Sequence, residues 1–296
     1  MDIRVLRYFL AVVREESISG AAASLHLTQP TLSRQLMELE DELGVKLLNR
    51  GKKNRQVTLT AEGMMLRKRA EEIVTLADKT LAEFDTSDEV VSGDIYVGGG
   101  ETNAMRLIAK IGKKLQADYP LIRYHLFSGN GDDVAERLDK GLLDFGLFIG
   151  SVNMERYNYL QLPATDTWGL LMRKDSPLAG KESILPEDLE SIPLIISRQS
   201  MTQNELSGWS GRDFNSLNIV ATYNLIYNAS LMVDEGFGYA VCLDKLIPSA
   251  DNNSFCFRPL EPQLKAHVNI AWKKYQVFSK AAEKFLDALQ DELKYG

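Results

Sequence analysis

Apolar residues recur at helical spacing from the start of the chain. Leu6, Phe9, Leu10 and Val13 fall at i, i+3, i+4 and i+7, which predicts an amphipathic helix. A second apolar stripe, Leu32, Leu36, Leu39 and Leu43, steps by four, three and four. Leu66, Ala70, Ile73, Ala77, Leu81 and Phe84 then form a narrow seam with charged flanks, predicting one long helix over 61–85. Thr86-Ser87-Asp88 breaks it. Beyond residue 90 the period changes. Short apolar runs at 93–98, 122–127, 144–149, 169–172, 194–196, 219–221 and 236–243 alternate with helical stretches at 103–118, 132–140, 224–233 and 281–293. Strands separated by helices of this length predict βαβ units and a parallel sheet. The rhythm restarts after residue 162, so two α/β lobes are expected, with the chain crossing near 150–162 and back near 266.

Between the first two stripes lies a helix-turn-helix pattern. Ala21, Ala22 and Ala23 let two helices cross closely, and Leu25 fills their shared core. Thr28 is placed to cap the second helix, and Pro30 falls in its first turn, where a missing N–H costs nothing. Gln29, Thr31, Ser33 and Arg34 lie off the stripe and suit base edges; Thr28 and Gln35 suit the phosphate backbone. The other reading of this polar face is ordinary solvation. Arg50, Lys52, Lys53 and Arg55 precede the short β-branched run Val57-Thr58-Leu59-Thr60, which suggests a wing tracking phosphates. A solvated basic turn is the alternative.

Residues 1 to about 60 resemble the N-terminal domain of LysR-type transcriptional regulators. The matching positions are Ala21-Ala22, Leu25, Thr28 through Ser33, Gln35-Leu36, Leu39-Glu40, Leu43-Gly44, Leu47, Arg50, and Leu59-Thr60 before Gly63; Leu48-Asn49 stands where the family often has Phe and a polar residue. Looser matches follow at Gly93–Gly98, Tyr119-Pro120, Gly141–Asp144 and Gly236–Ala240. The resemblance implies an α+β multidomain chain. It would have an all-α winged helix-turn-helix head at 1–60 and a linker and dimerisation helix at 61–88. A periplasmic-binding-protein-like effector domain would occupy 89–296, with lobe I at 89–161 and 267–296 and lobe II at 162–266. It further implies a sequence-specific regulator of transcription that binds double-stranded DNA as a homodimer or homotetramer and senses a small molecule between its lobes.

Charge supports the division. The chain carries −7 overall, but residues 1–70 hold 12 Lys/Arg against 8 Asp/Glu, leaving −11 on the remainder. A basic head on an acidic body fits DNA reading by the head alone. Cys242 and Cys256 sit in apolar settings without redox or zinc spacing, which reads as buried free thiols in a reducing cytoplasm. His26, His125 and His267 are far apart, so neither a metal site nor a cofactor is expected. The opening apolar run carries Arg7 and stops at Arg14-Glu15-Glu16, unlike a signal peptide, and no run is long enough to span a membrane.

Ligands of open α/β sheets bind beyond the carboxyl ends of strands. That selects loops 99–103, 128–130 and 197–202, with Gly100, Thr102, Ser128, Ser197, Arg198, Gln199 and Ser200 as candidate effector contacts. Arg198 and the following helix ends favour an anion, whereas Glu101 disfavours one nearby. Two other classes compete with this reading. A dinucleotide-binding enzyme would use Gly98-Gly99-Gly100, but Asn103 stands where the third glycine belongs. A solute-binding protein would need export. Neither accounts for residues 1–88, and no catalytic constellation is present in the sequence.

Overall fold

The computed structural model describes residues 1–50, 56–84, 91–150, 154–199, 208–209, 211, 217–247 and 254–295, with backbone alone at Arg50 and 82–84. Contacts divide the chain into Met1–Asp85 and Thr86–Gly296.

In the first unit, α1 (Ile3–Glu15), α2 (Ile18–Ser24) and α3 (Gln29–Leu43) precede a two-stranded antiparallel wing, β1 (Leu48–Arg50) and β2 (Val57–Leu59), and the long α4 (Ala61–Phe84). Side-chain oxygens cap the starts: Asp2 accepts from the amide of Arg4, Ser17 from Gly20 and Thr28 from Thr31. Leu6, Phe9, Ala21, Ala22, Leu32, Leu36 and Leu39 close one core. Leu25 packs at its edge, and Ala23 is exposed.

Two expectations change here. Leu43 is exposed, because the stripe ends at Glu40 and Gly44 turns the chain away at φ 68°. Half of the proposed dimer seam of α4 packs within its own unit: Ala70 is buried, and Leu66 and Ile73 pack on the same core as α1. Among the described residues of α4, the large apolar side chains left exposed are Met64, Met65, Leu76 and Leu81. Gly63 is required where α4 starts, since a Cβ there would lie 2.1 Å from the carbonyl oxygen of Leu47. The helix break at 86–88 lies outside the described residues.

The described residues of the second unit form a nine-stranded mixed sheet. Its strands are β3 (Gly93–Gly99), β4 (Ile122–Ser128), β5 (Phe145–Ile149), β6 (Tyr157–Arg173), β7 (Leu194–Ser197), β8 (Ile219–Tyr223), β9 (Tyr239–Leu243), β10 (Phe255–Pro259) and β11 (Lys265–Lys273). The order is β4-β3-β5-β11-β6-β9-β7-β8, with β10 on β6. Helices α5 (Met105–Asp118), α6 (Gly131–Asp139), α7 (Ile226–Asp234) and α8 (Lys280–Tyr295) cover it. The expected parallel sheet is only part of the truth. β3, β4 and β5 are parallel, as are β7, β8 and β9, but β6, β10 and β11 run antiparallel to their neighbours.

Two sets of cores follow. α5 and α8 bury Ile95, Val97, Phe145 and Phe285 at one end; β6, β7 and β9 bury Leu170, Ile196 and Val241 at the other. Between them the chain crosses inside the long strands β6 and β11. His267 pairs with Thr165 but Asn269 with Gln161, so the ladder bulges at the crossing.

Candidate nucleic-acid interface and interlobe cleft

The first turn of α3 is presented outward. Thr28, Gln29, Thr31 and Arg34 are exposed; Ser33 and Gln35 are half-buried. The hydroxyls of Thr28 and Thr31 lie 2.8 Å apart. Arg34 is 3.3 Å from Glu38, one turn on, and the amide of Gln35 donates to the same carboxylate at 2.8 Å. Glu38 thus holds one predicted base reader, Arg34, and one predicted phosphate contact, Gln35. Lys52, Lys53 and Arg55 lie outside the described residues, as does the side chain of Arg50.

Sequence reading missed Glu40. Its side chain is almost fully buried, yet it accepts from the amides of Leu47 at 2.9 Å and Leu48 at 3.2 Å and from the Lys46 ammonium at 3.0 Å. Burial opposes its ionisation, but those donors, Leu47 foremost, outweigh burial and hold the pKa below 4.5. Glu40 ties the end of α3 to the wing. The signal available was an acid on the apolar side of an otherwise regular stripe.

In the second unit a cavity of about 50 Å³ lies between the two sets of cores. Gly100, Ser197 and Gln199 line it, as expected, together with Glu101 and Asn130 from the selected loops and with Trp168, Tyr223 and Asn224, which the sequence did not single out. The other candidates are elsewhere. Thr102 is buried; its hydroxyl donates to Asp166 and accepts from the amide of Ala104 at 3.1 Å, so it braces the loop. Ser128 is exposed and lines an adjoining groove of about 410 Å³. Arg198 is exposed and does not line the cavity, which removes the side chain on which the anion expectation rested. Ser200 lies outside the described residues.

Among the described residues, hydrogen bonds cross the cleft from Glu101 and from Gln199. The Glu101 carboxylate accepts from the amide of Ile226, the first residue of α7. The Gln199 carbonyl accepts from the amide of Gly131, the first residue of α6, at 3.0 Å. The glycines that end β3 have a packing explanation. A Cβ at Gly98 would lie 2.4 Å from Leu143, and one at Gly99 2.9 Å from Leu147. They serve sheet packing, and the case for a dinucleotide loop loses its footing. No group of three metal-ligating side chains occurs among the described residues, and no described helix is long and apolar enough to cross a membrane.

Residues 3–64 match the model of the bacterial regulatory helix-turn-helix protein, lysR family, and residues 88–294 match the LysR substrate binding domain. The chain belongs to the LysR family of transcriptional regulators. Among curated relatives of this LysR-type regulator, the HTH-type transcriptional regulator BsdA of Bacillus subtilis is 29% identical, over 97% of this chain and 99% of its own. A hydrogen peroxide-inducible genes activator of Pectobacterium carotovorum is 31% identical over 66% of this chain and 64% of its own. The fold matches full-length CbnR, solved with its target DNA, at a TM-score of 0.74 and 19% identity, covering 98% of this chain and 99% of that one.

Proposed function

We propose that this LysR-type chain regulates transcription by binding operator DNA through α3 and the wing, under the control of a small effector taken up between the lobes. The observation that carries the reading is the first turn of α3. A capped helix start with Gln29, Thr31 and Arg34 exposed together, on a helix anchored by Leu32, Leu36 and Leu39, is what major-groove reading requires. Gln29, Thr31, Ser33 and Arg34 act on bases; Thr28, Gln35, Arg50, Lys52, Lys53 and Arg55 act on phosphates.

The protein acts in the cytoplasm as a dimer or tetramer and carries out no catalysis of its own. Pairing through α4 would draw on Met64, Met65, Leu76 and Leu81, the apolar side chains its own unit leaves exposed. Lobe I (89–161 and 267–296) and lobe II (162–266) hinge at the bulge opposite His267 and Asn269. An effector shifts DNA affinity by preferring one lobe arrangement.

A gel shift with DNA upstream of the chain's own gene tests this reading. Saturable retardation that survives excess unrelated duplex supports it. Retardation abolished equally by any duplex contradicts it.

A redox-sensing alternative, suggested by the peroxide-inducible relatives, is disfavoured by Cys242. Burial, then the nearby Asp244 and Glu101 charges, push that thiol up to about 12, far from a reactive thiolate.

A further inference from the structure

We infer that Glu101 is a built-in occupant of the interlobe cleft. The cleft therefore takes a small ligand that brings a cationic or N–H donor group to Glu101 and an acceptor to Trp168, and it rejects a simple carboxylate. This rests on the reading that an effector binds between the lobes.

Three observations lead there. First, the two helix N-termini facing the cleft are already filled by the opposite lobe. Glu101 reaches from the loop after β3 to the amide of Ile226 on α7, and Gln199 reaches from the end of β7 to the amide of Gly131 on α6. Free N–H groups at a helix start are the usual anion seat, and here a carboxylate of the chain sits in one of them.

Second, Trp168 is 7% exposed and lines the same cavity, and its indole Nε1 has no hydrogen-bond partner among the described residues. A buried indole N–H without an acceptor is costly, and an incoming oxygen would satisfy it.

Third, Glu101 is the only formally charged residue among the described ones lining the cavity. A carboxylate ligand in this cavity would meet that charge with no lining cation to offset it. Arg106 and Lys245 line the adjoining groove and not this cavity; there Arg106 donates to Asn103 and Lys245 pairs with Asp244.

A ligand that reaches Trp168 must displace protein groups, because the adjoining groove of about 410 Å³, which Glu101 also lines, does not extend to Trp168. About 50 Å³ holds little more than water, against roughly 300–1,000 Å³ for a ligand pocket. A ligand must part the lobes and break both crossing bonds. Parting leaves Glu101 in need of a donor, and the Ile226 amide and Trp168 indole in need of an acceptor. The ligand class stated above meets both needs.

The test uses the full-length chain in two arms. The first needs no ligand: hydrogen exchange is followed in the first turns of α6 and α7. Glu101→Ala should speed exchange in α6 about tenfold although the Gln199 bond is untouched, and Gln199→Ala should do the same in α7. The second follows fluorine NMR of the 5-fluorotryptophan-labelled chain, with the Trp168 signal assigned by Trp168→Phe, on adding the amine 4-aminobutyramide, which carries both an ammonium and a carbonyl acceptor, or butyramide or butyrate. The amine and the amide should move the Trp168 signal, and butyrate should move it only in Glu101→Gln.

Butyrate moving the wild-type signal as far as 4-aminobutyramide overturns the proposal, as does a probe order indifferent to Glu101→Gln. Exchange confined to the mutated bond, with a probe response present, overturns the proposal and leaves the effector reading standing. Coupled exchange with a Trp168 signal that no probe moves overturns the ligand class together with that reading.

Discussion

The carboxylate of Glu40 accepts the amide of Leu47 at 2.9 Å, across the turn that joins the second helix of the helix-turn-helix to the wing. Deleting it leaves two buried amides and one ammonium without their acceptor. Glu40→Ala should cost roughly 2–3 kcal/mol at neutral pH. Because the folded-state pKa lies below 4.5, the stabilisation is complete above that value and is lost as pH falls through the folded pKa. Urea unfolding of wild type and Glu40→Ala at pH 7 and pH 3.5 checks the sign: the gap between them should narrow in acid. A gap that widens in acid would mean that Glu40 is neutral in the folded state.

The wing lysines should act uniformly. Lys52→Ala or Lys53→Ala should weaken binding to every DNA sequence alike and reduce the slope of log affinity against log salt by about one. Glu38→Gln should act in the opposite direction, because that carboxylate sits on the reading face and holds Arg34 and Gln35. Fluorescence anisotropy across a salt series gives the slopes; a changed base preference with an unchanged slope would move the wing lysines off the phosphates.

Asp166 is fully buried at the crossing between the lobes, with Oδ1 lacking a partner among the described residues. Burial, and after it the charge of Asp244, raise its pKa above 3.8 despite the hydrogen bond from Thr102. A raised carboxyl binds its proton more tightly in the folded state, so stability falls as pH rises from 3.8 through the folded pKa. Asp166→Asn keeps an acceptor for the Thr102 hydroxyl and removes that fall. The variant should unfold at higher urea than wild type at pH 7, and the two should converge in acid.

Cys242 is fully buried and its thiol is pushed up to about 12. At pH 8 iodoacetamide should label Cys256 more than about a hundredfold faster than Cys242 in the folded chain. Mass spectrometry of the alkylated peptides reads this directly. Comparable rates would reopen thiol chemistry as the input signal.

Much of the fold was legible where local chemistry and period agree. Thr28, Pro30 and the leucine stripe announce α3, and the glycine-bounded apolar runs announce β3, β5 and β9. β10, β11 and the first half of β6 escaped. Polar residues such as Asn158, Gln161, Thr165 and Asp166 interrupt β6 where it crosses between lobes, and a bulge shifts its partner strand. The seam of α4 was visible as a seam, but period alone does not say whether α1 or a second copy covers it. At the cleft, strand-end logic found Gly100, Ser197 and Gln199. It could not find Trp168, whose role depends on a strand crossing read only from the sheet, nor the Glu101 bond to a helix 125 residues away.

The central claim is that the exposed turn of α3 reads bases. Affinities of wild type, Gln29→Ala and Arg34→Ala for an operator and its single-base-pair variants test it most directly. Each mutant should lose roughly 1–3 kcal/mol on the intact operator and become indifferent to substitution at one position per half-site, keeping its discrimination elsewhere. A uniform loss across the whole series, with every position still discriminated as in wild type, would contradict it.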